Sequence, residues 1–140
     1  MKFINYLLII FILLAACFVS GCAVKNSADS RIFRNISVQE ASDLIKKNKT
    51  NPDFTILDVR TLEEFKGGHI ENALNIDFYS ATFKEELDKL DKANIYFVYC
   101  RTGNRSGQAT KIMESLDFRE VYNLSAGITD WISSGLSVVQ

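Results

Sequence analysis

One cysteine followed closely by two arginines is the part of this sequence best suited to chemistry. Cys100 lies between an apolar run and a helix-like segment in the stretch "IYFVYCRTGNRSGQATKIMESL", residues 95–116, and Arg101 and Arg105 follow it. The thiolate is the nucleophilic form of cysteine, and nearby positive charges lower the pKa of a thiol from its usual ~8.5. The spacing therefore predicts a nucleophilic thiolate near neutral pH.

The segment "CRTGNR" is predicted to be the loop between a strand and a helix, with the helix beginning at Ser106 and Gly103 allowing a positive φ in the turn. In a parallel sheet, ligands bind beyond the carboxyl ends of the strands. Backbone N–H groups of the loop and the helix N-terminus would there surround an anion, with no metal or organic cofactor. The alternative interpretation makes Cys100 a buried apolar residue and the arginines solvated surface charges.

The elements that must position this loop alternate between strands and helices. The segment "SVQE", residues 37–40, has the spacing of a capping box at a helix start. The run 95–99 is apolar at every position, as in a central strand covered on both faces. The pattern predicts an α/β fold of three layers, with a central, mainly parallel sheet flanked by helices. Strands are predicted at residues 54–59, 73–76, 95–99 and 120–124, and helices beginning near residues 38, 83, 106 and 128.

The N-terminal segment has the features of an export signal. A positively charged start precedes an unbroken apolar stretch from Tyr6 to Val19, which is shorter than the roughly 20 residues of a membrane-spanning helix. The following "VSGC" resembles the lipobox of bacterial lipoproteins, in which Cys22 would be diacylated and become the new N-terminus. The alternative is a plain signal peptide or an uncleaved anchor with an incidental cysteine.

These features predict three regions: a lipoprotein signal peptide at 1–21, a lipidated N-terminus with a polar tether at 22–34, and a folded domain at 35–138. The mature protein would be anchored by lipid at Cys22, on the periplasmic side of a membrane or the outer face of the cytoplasmic membrane. Cys100 would then be its only free thiol, so no intramolecular disulfide is possible. The net charge of −1 over 140 residues offers no extended basic surface for nucleic acid.

Three stretches together resemble the signature regions of the single-domain rhodanese family, in order and at similar separations, and the resemblance covers roughly residues 35–138. They are "DVRTLEEFKGGHIENALNI" (58–76), "CRTGNRS" (100–106) and "NLSAGITDWISSG" (123–135). The resemblance implies a rhodanese fold and a double-displacement sulfur transfer. A donor such as thiosulfate would give sulfur to Cys100, which would hold it as a persulfide and pass it to a thiophilic acceptor, a small molecule or a protein thiol.

The resemblance also assigns roles to individual residues. Cys100 corresponds to the nucleophile, and the residues after it correspond to the cradle that binds the anionic donor, namely Arg101, Thr102, Gly103, Asn104, Arg105 and Ser106. Asp58 and Arg60 are expected to support the architecture. Asp58 would bond the loop or pair with an arginine, and Arg60 would pair with Glu63 or Glu64.

His69 is the only histidine, and the resemblance places it away from the nucleophile, with a structural role. One histidine and one free cysteine do not suggest a protein zinc site. The sequence therefore predicts no metal site and no cofactor.

Two further functions compete with sulfur transfer. Cysteine phosphatases and arsenate reductases of related architecture use a loop one residue longer, whereas Arg105 here follows Cys100 by five positions. The second alternative is a membrane-anchored binding module of the same fold that recruits a partner without catalysis. The sequence identifies neither the physiological donor nor the acceptor.

Overall fold

The computed structural model describes residues 30–140. Five strands form one sheet in the order β1-β5-β4-β2-β3, and all neighbouring strands run parallel. The strands are β1 (Ile32–Ile36), β2 (Phe54–Asp58), β3 (Ala73–Asn75), β4 (Ile95–Tyr99) and β5 (Glu120–Leu124). The helices are α1 (Val38–Lys47), α2 (Leu62–Lys66), α3 (Phe83–Asp88), α4 (Asn104–Ser115) and α5 (Gly127–Ser133). The predicted α/β fold with a mainly parallel sheet is confirmed.

The predicted signal peptide at 1–21, the lipidation site Cys22 and most of the tether at 22–34 lie outside the described residues. Within residues 30–140, no helix combines the length and the apolar character needed to cross a bilayer.

The sheet is covered on both faces, which explains why β4 is apolar at every position. Val98 belongs to the apolar cluster on one face, which α3 and α4 complete. Phe97 and Tyr99 belong to the cluster on the other face, where α1 and α5 pack. Adjacent strand residues point to opposite faces, so a strand between two helical layers buries both sets of side chains. The carboxyl end of β4 therefore lies in the middle of the molecule.

Strand β1 was not predicted, and residues 32–34 had been assigned to the tether. They pair in parallel with β5, beginning with Ile32 opposite Glu120. β1 is an edge strand with a partner on one side only, and two of its side chains, Arg34 and Asn35, are exposed. Its sequence consequently lacks the continuous apolar run that marks the inner strands.

Helix α4 begins at Asn104, two residues before the predicted start at Ser106. The residue that precedes the helix is Gly103, whose φ of +89° reverses the chain direction directly after the cysteine. The turn is therefore tighter than the sequence indicates, and Arg105 belongs to the first turn of the helix. The segment after Arg60, expected as a turn, is the short helix α2.

Candidate active site

Cys100 lies at the carboxyl edge of the sheet, directly after β4, and is only 1% exposed. Its Sγ accepts a hydrogen bond from the Gly103 N–H at 3.1 Å and another from the Ser106 hydroxyl at 3.4 Å. Ser106 is itself fully buried. The sulfur is thus held by donors on the turn that begins α4.

Gly103 makes this turn possible, because its backbone both adopts a positive φ and passes close to another segment. A Cβ atom at this position would lie 1.8 Å from the Ser125 carbonyl oxygen. No residue with a side chain fits there without moving the backbone. The glycine therefore allows the loop to curl tightly enough for its N–H to reach Sγ.

Helix α5 holds the beginning of the loop. The Ile128 N–H donates to the Cys100 carbonyl at 2.8 Å, and Thr129 donates to the Arg101 carbonyl through its N–H at 3.2 Å and its hydroxyl at 2.9 Å. Gly127 permits this approach, since a Cβ there would lie 2.3 Å from the Arg101 oxygen. Because both carbonyls are occupied by α5, the loop is fixed with its N–H groups turned toward the sulfur.

The surroundings of Cys100 favour the thiolate. Burial opposes ionisation, but hydrogen bonds from the Ser106 hydroxyl and from the N–H groups of Ser106, Thr102 and Gly103 outweigh it and lower the pKa of the thiol. No side chain caps the N-terminus of α4, so its first N–H groups remain available to the sulfur. The Ser106 hydroxyl also lies 3.2 Å from the Gly103 carbonyl, and its one proton favours the sulfur when the thiol is ionised.

Arg105 does not interact with Cys100 in the way the sequence suggested. Its guanidinium makes a two-pronged ion pair with Glu64 on α2, with distances of 2.7 Å from Nη1 to Oε2 and 2.8 Å from Nη2 to Oε1. The hydrogen bond from Arg105 is the largest cause that lowers the pKa of Glu64 to about 2. The cation of the cradle thus has its own anion, and the low thiol pKa depends chiefly on neutral hydrogen-bond donors.

The other predicted cradle side chains do not bond the sulfur. Arg101 and Thr102 are exposed, and Thr102 contributes through its backbone N–H. Asn104 is also exposed and accepts a hydrogen bond from Gln108 along α4. Gly103 and Ser106 donate to Sγ at 3.1 and 3.4 Å, and the Thr102 N–H adds to these hydrogen bonds.

Asp58 and Arg60 form a buried ion pair at the end of β2. The Arg60 Nε lies 3.0 Å from both carboxylate oxygens, and Nη2 lies 2.6 Å from Oδ2. Nη2 also donates to the Gly68 carbonyl at 2.8 Å. The expected pairing of Arg60 with Glu63 or Glu64 is wrong. Asp58 pairs with an arginine, one of the two predicted alternatives, because residues two apart in extended chain share a face.

His69 stacks on Phe65, with ring centroids 3.8 Å apart, and its Nδ1 lies 3.0 Å from the Phe65 carbonyl oxygen. Its backbone pairs with that of Val139. None of these contacts involves the cysteine loop. Residues 30–140 contain no group of three or more acidic, histidine or cysteine side chains able to hold a metal ion.

Two residues near the loop were missed as parts of the site. The sequence suggested Glu64 only as a partner of Arg60, and it did not suggest Tyr79. The Tyr79 ring is 69% exposed, and its centroid lies 5.5 Å from the Arg105 guanidinium carbon. The acidic pair that opens α2 was the available signal for Glu64, whereas nothing local in the sequence pointed to Tyr79.

A shallow groove of about 410 Å³ borders the loop between α2 and α5. Arg101, Glu64, Thr129 and Ile132 contribute to its walls. Ile132 is 51% exposed, so the groove presents apolar as well as charged surface next to the cysteine loop. Arg101 places a positive charge on the wall of this groove.

Comparison with known proteins finds one matching family and several similar proteins. Residues 37–134 match the family described as "Rhodanese-like domain". The chain is 34% identical over 100 residues to the thiosulfate sulfurtransferase GlpE of Coxiella burnetii, covering 71% of this chain and 88% of that protein. It is 38% identical over 105 residues to the adenylyltransferase and sulfurtransferase UBA4 of Scheffersomyces stipitis. This match covers 69% of this chain and only 23% of the longer protein.

A crystal structure of a rhodanese-related protein from Thermoplasma volcanium is similar, with a TM-score of 0.63 and 31% sequence identity. That similarity covers 76% of this chain and 98% of the other.

Proposed function

Since this chain belongs to the rhodanese-like domain family, we propose that it is a sulfurtransferase that carries sulfane sulfur as a persulfide on Cys100. The observation that carries the proposal is the sulfur position itself. Sγ lies at the uncapped N-terminus of α4 and accepts hydrogen bonds from Gly103 and Ser106. The relatives named as sulfurtransferases support the same reaction class.

The first half-reaction is a displacement at sulfur. With thiosulfate as donor, the Cys100 thiolate attacks the sulfane sulfur, a new S–S bond forms, and the S–S bond of thiosulfate breaks. Sulfite leaves with the electron pair. The products are sulfite and a persulfide anion on Cys100, so atoms and charge balance without an oxidant or a metal.

The cradle suits both states of the cysteine. Before transfer it stabilises the thiolate, and after transfer the terminal sulfur carries the negative charge one bond further out. The N–H groups of Thr102, Gly103 and Ser106, which stabilise the thiolate, would serve the terminal sulfur as well. Preorganised donors stabilise a developing anion without reorganising during the reaction. In the second half-reaction, a thiophilic acceptor attacks the terminal sulfur and restores the thiolate.

Intact-mass measurement tests the proposal directly. The purified protein and its Cys100→Ser variant are exposed to thiosulfate, and cyanide is added afterwards. We expect a gain of about 32 Da in the wild type only, corresponding to one persulfide sulfur, and its removal by cyanide as thiocyanate. If a folded protein whose thiol is readily alkylated gains no sulfur from thiosulfate or from an organic persulfide, the binding-module function replaces this one. Hydrolysis of an aryl phosphate would instead indicate phosphatase chemistry.

We further propose that the protein is exported and anchored to the cell envelope by lipid on Cys22. The support is the apolar stretch Tyr6–Val19 and the small residues before Cys22. Two or more acyl chains would make the attachment stable, where one chain is marginal. Incorporation of labelled fatty acid should be lost in Cys22→Ser and retained in the matched variant Cys17→Ser. Equal labelling of both variants would contradict the proposal.

A further inference from the structure

The charges around Cys100 are nearly balanced within the protein. Arg105 is 13% exposed and directs both terminal nitrogens at the two oxygens of Glu64. Arg60, the next guanidinium along the edge, is paired with Asp58. Arg101 has no ion pair among the residues that the structure describes, and its side chain is exposed to solvent. The inner wall of the site therefore contributes little net positive charge.

Glu64 is held in place by more than its partner. Its carboxylate accepts a hydrogen bond from the Thr61 N–H at 3.1 Å and lies 3.2 Å from the Thr61 hydroxyl, which completes the capping box of α2. Its side chain is 29% exposed. Releasing Arg105 toward a ligand would therefore leave a partly buried carboxylate without its counterion.

These contacts matter because sulfane-sulfur donors differ in charge. Thiosulfate brings two negative charges toward a thiolate, whereas a thiosulfonate or an organic persulfide brings one at most from its reacting group. A helix N-terminus supplies the equivalent of only about half a positive charge. Such a cradle can stabilise one negative charge well, whereas a dianion needs an additional cation. The partly buried guanidinium of the loop, Arg105, is already paired with Glu64, and Arg101 is exposed to solvent, which screens its charge.

We propose, on the basis of the sulfurtransferase function above, that Glu64 is a specificity-determining residue that directs the site toward monoanionic sulfane-sulfur donors and against dianionic ones. Tyr79 supports an organic donor, because its exposed ring beside Arg105 offers apolar surface at the entrance. For an organic persulfide R–S–SH, the Cys100 thiolate takes the terminal sulfur with its hydrogen. The donor S–S bond breaks, and R–S⁻ leaves with the electron pair.

Two donors of similar shape isolate the effect of charge. Methanethiosulfonate resembles thiosulfate with one charged oxygen replaced by a methyl group. It gives its sulfane sulfur to the thiolate and leaves as methanesulfinate, and it carries one negative charge. The measured quantity is the ratio of kcat/KM for methanethiosulfonate to kcat/KM for thiosulfate, with cyanide as acceptor. Differences in intrinsic reactivity cancel when this ratio is compared between variants.

Glu64→Gln removes the charge, and its amide oxygen can still serve the capping box. We expect the ratio to fall by about two- to tenfold, through a lower KM for thiosulfate, and the change to shrink at high salt. Glu63→Gln is the matched control. Glu63 precedes Glu64 on α2, is exposed and has no contact with Arg105, so its variant should keep the wild-type ratio.

Arg105→Gln provides an independent test with the opposite sign. It leaves the Glu64 charge uncompensated, so the ratio should rise above that of the wild type. Equal ratios in Glu64→Gln and Glu63→Gln would overturn the inference, and so would a ratio that falls in Arg105→Gln. If Glu64→Gln does not fold, the double variant Glu64→Gln/Arg105→Gln is compared with Arg105→Gln, and a ratio that is no lower in the double variant would overturn the inference.

Failure of the sulfurtransferase function gives a different result. In that case the wild type would accept sulfur from neither donor, although its thiol is alkylated normally. Transfer from both donors, with one ratio shared by all variants, would reject the role of Glu64 alone.

Discussion

Two neighbouring strands, β2 and β4, end at the same edge of the sheet, and each leads into a helix. After β2, Asp58 is neutralised by Arg60, and Thr61 and Glu64 cap the first N–H groups of α2. After β4, Cys100 meets an α4 N-terminus that no side chain caps. The two junctions share a backbone plan and differ in how their polar groups are satisfied.

This difference distinguishes a junction that stabilises the fold from one whose donors are directed at Cys100. At the β2 junction, side chains of the same segment satisfy the carboxylate and the helix N-terminus, so little is left for a ligand. At the β4 junction, N–H groups of the loop and α4 are directed at a sulfur atom that can accept another bond. An unfilled cap beside Cys100 is the basis of the reactivity that we propose for this end of the sheet.

The largest expected effect on stability comes from breaking the ion pair between Asp58 and Arg60 at the end of β2. Asp58→Asn leaves the buried Arg60 without its counterion, so we expect the free energy of unfolding to fall by about 3–5 kcal/mol in urea denaturation. Asp53→Asn, an exposed aspartate just before β2, should change it by less than about 0.5 kcal/mol. A similarly small change in Asp58→Asn would show that the buried ion pair does not stabilise the protein.

The next test distorts the turn between β4 and α4. Gly103→Ala forces a side chain into a positive φ and against the Ser125 carbonyl, so it should cost about 2–4 kcal/mol and slow alkylation of Cys100. Gly107→Ala, four residues along α4, has room for a Cβ and should stabilise the protein by about 0.5–1 kcal/mol. Similar stability of the two variants would disprove the close approach at Gly103.

A milder change removes one donor to the sulfur. Ser106→Ala deletes the hydroxyl that lowers the pKa of Cys100, so the pH profile of thiol alkylation should move to higher pH. At neutral pH a smaller fraction is thiolate, and alkylation should be roughly two- to tenfold slower. Ser115→Ala, exposed at the end of the same helix, should keep the wild-type profile. An unchanged pH profile in Ser106→Ala would show that this hydroxyl does not stabilise the Cys100 thiolate.

The smallest effect concerns the capping box of α1, whose hydrogen bonds join Ser37 and Glu40 and include none to the cysteine loop. Ser37→Ala removes the capping box of α1 and should cost about 1 kcal/mol of folding stability. The pH profile of Cys100 alkylation should not move, because this cap serves structure only. A shifted profile would mean that caps and thiol are coupled across the sheet.

Much of the fold was readable because its signals are local. The capping box of Ser37 and Glu40 and the apolar run of β4 each depend on a few adjacent residues, and both elements were predicted. Strand β1 was missed because an edge strand needs only one buried face, and its identity depends on pairing with β5, far along the chain.

The residue types of the site could be predicted from the sequence, but the ion pairs between its side chains could not. Cys100, Gly103 and Ser106 lie close in sequence, so their proximity follows from one turn. The partner of Arg105 is Glu64, 41 residues away in the chain, and only the packing of α2 beside α4 brings them together. The sequence indicated two cations near the thiol, and the fold neutralises one of them.

Because all paired strands run parallel, the sheet has two different edges, one where the strands begin and one where they end. β1 starts at Ile32 on the amino edge, and Cys100 lies on the carboxyl edge, about 16 Å further along the strand direction for five-residue strands. Ser30 and Arg31, the described residues before Ile32, therefore lie at the edge of the sheet opposite the thiol, where Arg31 pairs with Asp117. If the lipid anchor that we propose at Cys22 is present, the described domain is joined to it through the edge of the sheet opposite the thiol.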